Sequence, residues 1–364
     1  MTEWEQMRSF LAECYRPDHV VGYKKYFEWQ FRADTNINGG DAKLLCAWDS
    51  GRLAGTLGFL PLPVHWGRVG EVPKAVWISY WMVRKEAPRG LGRLLVKKIQ
   101  EIYPFVLTVN ASPIGGPLLK ALGWSFFPRI SRHICVLDRR QCVAMLLPGA
   151  SENCLDSVTY ISRGYRRGMS ELSGVTPNKN NYDPDWRLYP GLLFGTVRSL
   201  EYLTWRYLDH PVFKYHIVIE GSPERPVVCV YRIERAFGYY EALVGRIVEF
   251  FYPNDQGGKT EGLNVMHAVL QHLKNASCAY ADFICSNRSY GRAIVDLGGG
   301  EEPGDSQILP VRLTPIERSI RHQNFAYFTP QGYPSPALER MYVTKSDIDG
   351  DSPASIPANV NVAA

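Results

Sequence analysis

The apolar positions of this chain switch period several times, and the clearest switch lies between residues 77 and 124. From Trp77 to Val83 the run WISYWMV is dense in aromatic and β-branched residues and predicts a strand. From Leu91 to Ile102 the apolar residues Leu91, Leu94, Leu95 and Ile99 recur at helical spacing. A second strand, FVLTVN, ends at Asn110, with Ala111 and Ser112 after it, and a second amphipathic helix closes at Leu122, Gly123 and Trp124. Between the first strand and the first helix lies PRGLG. Gly90 and Gly92 carry no Cβ, so the backbone can pass close to a ligand while its amides point inward at a helix N-terminus, where the dipole favours negative charge. A diphosphate would fit there, with Arg89 and Arg93 adding screening charge. The plainer alternative is a helix start at which two glycines ease a tight turn.

The pattern then repeats. Tyr26, Phe27, Glu28, Trp29, Gln30 and Phe31 find an echo in Tyr202, Leu203, Thr204, Trp205, Arg206 and Tyr207, at an offset of 176. The same offset carries Asn110 to Ser286 and Gly123 to Gly299. Between these anchors the second half predicts a strand RIVEFFYP, a glycine-bearing turn NDQGGKTEG, a helix VMHAVLQHL, a strand YADFICSN and a helix RAIVDLG. The order of elements is that of the first half. This argues for two units in tandem, residues 1–150 and 151–344, with the break in LLPGASENC before a new strand SVTYIS. GVTPNKNNYDP (174–184) reads as a loop, and the small, polar segment 345–364 as a disordered tail. The second glycine turn spaces its glycines differently, adds Asp255 and Glu261 and supplies only Lys259 as a cation, so anion binding should favour the first unit.

The succession of strand, glycine turn, helix, strand ending near Asn, and helix ending in LGW resembles the GNAT acyltransferase superfamily, whose turn reads Q/RxxGxG/A. Here Ala87 stands for the leading Gln or Arg, while both glycines remain. The resemblance implies an α/β fold with two GNAT-like units, each a mixed, mostly antiparallel twisted sheet flanked by helices. It implies acyl-CoA as donor, its pyrophosphate on the amides of Arg89, Gly90, Leu91, Gly92 and Arg93. The pantetheine arm would lie along Met82 and Val83, flanked by Asn110 and Ser112. Members often place a Tyr general acid four residues before the final Gly; here that position is Leu119. The paired FxW-like and YLxWRY segments resemble tandem GNAT acyltransferases of bacterial surface-polysaccharide pathways, which implies a nucleotide-linked amino sugar as acceptor. Two other readings stay open: a Fem-type aminoacyl transferase, although no long helical arm is visible, and a non-catalytic CoA-binding scaffold or sensor.

Composition narrows the picture. A chain of 364 residues with 45% hydrophobic content is long enough for two domains. A net charge of +5, scattered among 36 acidic residues, does not suggest nucleic-acid or membrane binding. The N-terminal MTEWEQMRSFLAECY has no basic region before an apolar core and reads as a helix, and no apolar run reaches the roughly 18 residues of a membrane span. Eight cysteines without a CxxC pair suggest reduced thiols in a cytoplasmic protein. His267 and His272, five apart, point to different faces of a helix, and no metal is expected.

Attack of an amine on a thioester needs the neutral amine, a route for its proton and a dipole for the developing oxyanion. The Val83 amide could supply the dipole. The key strand offers only Ser79 and Tyr80 as catalytic candidates, with His65 and Glu71 upstream, so proton loss through ordered water is favoured. Trp77 and Trp81, alternating with Ser79, are expected to line a cleft, and Arg206 and His210 to close the groove between the units.

Overall fold

The structure, a computed structural model, describes residues 3–14, 17–32, 42–67, 71–72, 74–160, 176–303, 306–320, 322–347 and 350–353. The first half runs α1 (Glu3–Cys14), α2 (Lys24–Arg32), β1 (Leu44–Asp49), β2 (Arg52–Pro61), β3 (Val64–Trp66), β4 (Glu71–Val72), β5 (Ala75–Val83) and α3 (Leu91–Ile102). It continues with β6 (Phe105–Val109), α4 (Gly115–Ala121), β7 (Ser125–Phe127), β8 (Arg132–Val136) and α5 (Arg139–Met145). The second half holds β9 (Phe194–Thr196), α6 (Leu200–Leu203), β10 (His216–Glu220), β11 (Val227–Ala236), β12 (Ala242–Phe251) and α7 (Gln256–Asn275). After these come β13 (Cys278–Ile284), α8 (Arg288–Asp296), β14 (Gly300–Glu301) and β15 (Phe325–Phe328). The helical spacing of Leu91 to Ile99 therefore yields α3, which buries Leu95, Val96 and Ile99.

Two six-stranded sheets carry the fold, in the orders β1-β2-β5-β6-β15-β7 and β10-β11-β12-β13-β8-β14. Position by position they match: the third and fourth strands are parallel (β5 with β6, β12 with β13) and the other neighbours antiparallel. The fifth place in each sheet is filled by a strand from the other half of the chain. β8 pairs with β13 from Tyr280↔Val136 to Ile284↔Arg132, and β15 pairs with β6 from Phe325↔Val109 to Phe328↔Val106. Two units are present, and neither sheet is built from one continuous half, so a cut at residue 150 would not separate the sheets. A periodicity argument finds each strand and cannot say which sheet it joins.

Trp29 on α2 and Trp205, in the π-helical turn Thr204–Leu208 that continues α6, lie 5.2 Å apart and nearly parallel at 18°. Each indole N–H donates to the other's backbone carbonyl, at 2.9 Å and 3.1 Å. Reciprocal bonds between residues 176 apart are what a two-fold relation between duplicated units produces. Both rings are buried, and the largest apolar core takes residues from both sheets around them.

Three further expectations change. SVTYIS does not open a strand: Glu152–Val158 is a 3-10 helix, Thr159 makes one bridge to Val136, and residues 161–162 lie outside the described set. NDQGGKTEG is a turn only up to Asp255, whose carboxylate accepts from the Gly258 amide and starts α7, so all three glycines sit inside the helix. The segment after Lys345 is no tail at its start. Ser346, Asp347 and Asp351 are at most 1% exposed, Arg198 pairs with Asp347 at 3.0 Å, and Ser346 Oγ donates to Glu249 at 2.6 Å. Small polar composition suggested disorder, yet here those side chains satisfy buried charges. Residues 354–364 lie outside the described residues.

Replacing either Trp29 or Trp205 by Ala should cost about 3–5 kcal/mol. Because each ring also bonds the other's backbone, the double variant should lose clearly less than the sum in equilibrium denaturation; strict additivity would contradict the pairing.

Candidate functional site

The site begins with an irregularity in β5. Its pairing with β2 moves from Gly58↔Ser79 to Thr56↔Met82, so Tyr80 and Trp81 stand against Leu57 alone, with Tyr80 at φ +47°. This bulge reverses which face each residue occupies. Before it, Ala75 and Trp77 face the core shared by the sheets, and Val76 and Ile78 face α3. After it, Tyr80 and Met82 face the shared core, and Trp81 and Val83 turn toward α3 and α4.

The bulge coincides with a separation of strands. Parallel pairing of β5 with β6 ends at Trp77↔Leu107, after which Thr108 Oγ1 donates to the Ile78 carbonyl at 3.0 Å. β6 ends at Val109, and Asn110 follows it at φ +57°. The opening leads to a cavity of about 350 Å³ lined by Cys14, Trp81, Met82, Val83, Gly92, Ser112, Ile114, Gly115 and Leu118. Gly92 at the start of α3 and Gly115 at the start of α4 both abut the Trp81 indole: a Cβ on either would lie 3.3 Å or 3.2 Å from the ring.

At the mouth, Gly90 caps α3 in the left-handed region, at φ +88°, where side chains are strained even though the space around it is open. The Leu91 amide reaches the Pro88 carbonyl and the Leu94 amide that of Gly90. The Gly92 and Arg93 amides fall among the helix's first four, which lack intrahelical acceptors, and they remain available to an anion. Arg89 and Arg93 are exposed beside them. At the start of α7 the Gly258 amide, the counterpart of Arg93's, is answered by Asp255, itself paired with Arg225 at 2.6 Å, and a Cβ at Gly258 would collide with Pro253. The two helix starts therefore differ physically: one is open, the other is closed by its own carboxylate.

A second, polar groove of about 570 Å³ lies between the units, and Asn110 and Ser112 line it from the first. Arg232, Glu234, Arg246, Lys345 and Asp351 line it from the second, with Arg312, His322 and His19 at its edges. Ser112 lines both cavities, so they adjoin across that residue. Behind the groove a chain of ion pairs crosses the second sheet: Asp351 with Arg232 (2.8 Å), Arg232 with Glu234 (2.9 Å), Glu234 with Arg246 (3.0 Å), and Arg246 with Asp282. It continues from Asp282 to Arg132 (2.9 Å) and from Arg132 to Glu302 (3.0 Å). Burial alone would raise the pKa of Glu234, Asp282 and Asp351, but the flanking arginines outweigh it and hold all three below the usual carboxylate range. The part of this groove on the second sheet escaped sequence reasoning. One signal was available, the alternation of Arg232 and Glu234 with apolar residues in VYRIERAF.

The predicted residues divide accordingly. Trp81, Met82, Val83, Gly92 and Ser112 meet in the first cavity, with Asn110 in the adjoining groove and Gly90, Leu91, Arg89 and Arg93 at the helix start. Trp77 lines no cleft: it is fully buried and its indole donates to Thr196 at 2.9 Å, because the bulge breaks the assumed alternation with Trp81. Arg206 and His210 do not close the groove. Arg206 is fully buried over the Trp29 ring with Nε bonded to the Ser346 carbonyl. His210 accepts from the Val212 and Phe213 amides, and burial followed by Arg206 pushes it down to about 3. Ser79 is buried, and Tyr80 shares a 3.3 Å hydroxyl contact with Tyr26; neither lines the two cavities. His65 is buried against Trp186 and its pKa is lowered by burial. Leu119 is buried in the apolar core under α3 and α4. Among the described residues no cluster of His, Cys, Asp and Glu is arranged to hold a metal, and no helix is long and apolar enough to cross a membrane.

This architecture is that of two GNAT-like folds in tandem. Residues 4–104 match the acetyltransferase (GNAT) family. The whole fold is similar to a crystal structure of Saccharomyces cerevisiae N-myristoyltransferase with bound myristoyl-CoA, at 15% identity and TM-score 0.52, over 93% of this chain and 80% of that one. A second structure of that enzyme, with myristoyl-CoA and inhibitors, gives 16% identity and TM-score 0.51 over 93% and 82%. None of the curated proteins matches the chain.

Asp351→Asn leaves Arg232 buried with one carboxylate partner fewer and should cost about 3–5 kcal/mol in chemical denaturation. Carboxylates whose folded pKa is depressed stabilise the fold above their unfolded pKa and lose that contribution as pH falls. Stability should therefore decline below about pH 4, and less steeply in Asp351→Asn.

Proposed function

We propose that the protein is an acyl-CoA-dependent N-acyltransferase whose donor occupies the cleft opened by the β5 bulge and whose amine acceptor enters the groove between the units. The observation that carries this reading is that the two cavities adjoin across Ser112. Coenzyme A would enter with its diphosphate on the Gly92 and Arg93 amides and its pantetheine arm along the free edge of Met82 and Val83. Its thioester would then lie where β5 and β6 diverge. The polar groove would hold the acceptor, and orientation of amine against thioester would supply much of the rate acceleration. The oxyanion would be met by the Val83 amide.

The acceptor is a small polar amine, and nucleotide-linked amino sugars, by likeness to tandem GNAT enzymes of surface-polysaccharide pathways, are the class to test first. Arg312 would face an anionic group on such a molecule. A cytoplasmic location goes with this reading, since acyl-CoA and nucleotide sugars are cytoplasmic metabolites.

Incubation with acetyl-CoA and longer acyl-CoAs against dTDP- and UDP-amino sugars, with peptide amines alongside, should release free thiol with at least one amino sugar. Release with peptides alone would overturn the sugar assignment, and no release would overturn the enzyme reading. In calorimetry, Gly92→Glu should abolish CoA binding, whereas Gly257→Glu, on the first turn of α7 where a Cβ meets only Asp255 at 3.3 Å, should leave it intact. Equal loss in both would contradict a single donor site.

A further inference from the structure

We propose that Lys345 is the proton acceptor of this site, taking the proton from the acceptor's ammonium before the amine attacks the thioester. The proposal rests on the acyltransferase reading above and assigns it a residue. Lys345 sits where the chain is firmly held: its amide donates to the Ile284 carbonyl at 3.3 Å, and the neighbouring Thr344 bridges Cys285. The side chain is 12% exposed and lines the groove that adjoins the proposed donor cavity at Ser112.

Charge counting supports the role. The carboxylates Asp351, Glu234, Asp282 and Glu302 face the cations Arg232, Arg246, Arg132 and Lys345, four against four. An ammonium entering beside Asp351 adds a fifth positive charge to a neutral set. The three guanidinium groups do not deprotonate in proteins, so Lys345 is the one cation of the four that can restore the balance by losing a proton.

Opposing influences act on that proton, and burial with Arg246 outweighs the carboxylates. Asp351, 3.7 Å away on the same segment, holds the charged form, as do Glu234 on β11 and Asp282 on β13, while Arg246 on β12 opposes it. Arg232, Arg312, His322 and His19 are the other titratable or charged groups lining the groove, and none of them is a carboxylate. Burial, then Arg246, push Lys345 down to about 8. Its neutral form is then far more accessible near neutral pH than that of a lysine at the ordinary value of about 10.4. The groove's carboxylates are too acidic to serve, being ionised and arginine-bound.

The step balances. Protonated Lys345 first loses a proton to solvent, and its neutral Nζ takes one from the acceptor ammonium. The freed amine forms the C–N bond, the C–S bond breaks, and the ammonium proton of the tetrahedral intermediate goes to the CoA thiolate. Overall, an ammonium and a thioester give an amide, a thiol and a proton.

The test combines two measurements on the full chain. In protein carrying 13C-labelled lysine, the signal missing from Lys345→Arg should titrate near 8 in the wild type. A value near the ordinary 10.4 overturns the proposal whatever the activity. With acetyl-CoA and an active amino sugar, wild-type kcat should rise with pH toward a plateau above 8. Lys345→Met and Lys345→Arg should both lose ~10²–10⁴-fold in kcat with CoA affinity unchanged. Arginine keeps the ion pair with Asp351 and cannot accept a proton, so full rescue by Lys345→Arg would make the lysine structural and overturn the assignment. A wild type that releases no thiol overturns it too; a lysine signal still titrating near 8 would then place the fault in the donor and acceptor reading.

Discussion

The fold depends on a constraint of β-structure: a sheet cannot leave its inner edges unpaired, and here neither sheet can complete itself. β6 and β7 have no direct contact until β15 arrives from residues 325–328, and β13 and β14 are joined only through β8. Each unit thus folds around a strand lent by the other, and the reciprocal indole bonds of Trp29 and Trp205 lie where the exchange is balanced. The groove exists because this exchange fixes the ends of β5 and β6 opposite the charged face of β11 and β12.

On that symmetric frame, function depends on departures from symmetry. One helix start leaves its amides open behind Gly90, while its counterpart is satisfied by Asp255. The parting of the central strands, by contrast, belongs to the shared frame: the last pairs are Trp77↔Leu107 and Ile247↔Phe283, and Leu107 and Phe283 are equivalent at the offset of 176. Gln30 and Arg206 hold equivalent places, and both are buried with side-chain nitrogens that have no hydrogen-bond partner among the described residues. The clearest difference between the units is therefore at the helix starts, one open and one closed by a carboxylate.

Much of this was legible in the chain. Periodicity placed α3, β5, β6 and α7, and the offset of 176 found the repeat because aromatic anchors tolerate few replacements. The anion turn was visible because glycine at two fixed positions has a backbone cause. What stayed hidden followed from long-range geometry. A one-residue bulge at Tyr80 moved Trp81 to the face opposite Trp77, which strict alternation cannot anticipate. Arg206 and His210 looked available because polar residues usually are, yet both lie in the core. Lys345 and Asp351 were lost to a compositional rule, since a small polar segment reads as solvated unless its buried partners, scattered over β11, β12 and β13, are known.

The exchange of β8 and β15 has a consequence for how such a molecule can exist at all. A half-length chain with this topology could close its sheet only by meeting a second copy, so its folding would be tied to its own concentration. Joining the halves makes that meeting intramolecular and independent of dilution. It also releases the copies from identity: a homodimer must carry two equivalent clefts, whereas a fused pair can keep one and turn the other's face into a wall of charge.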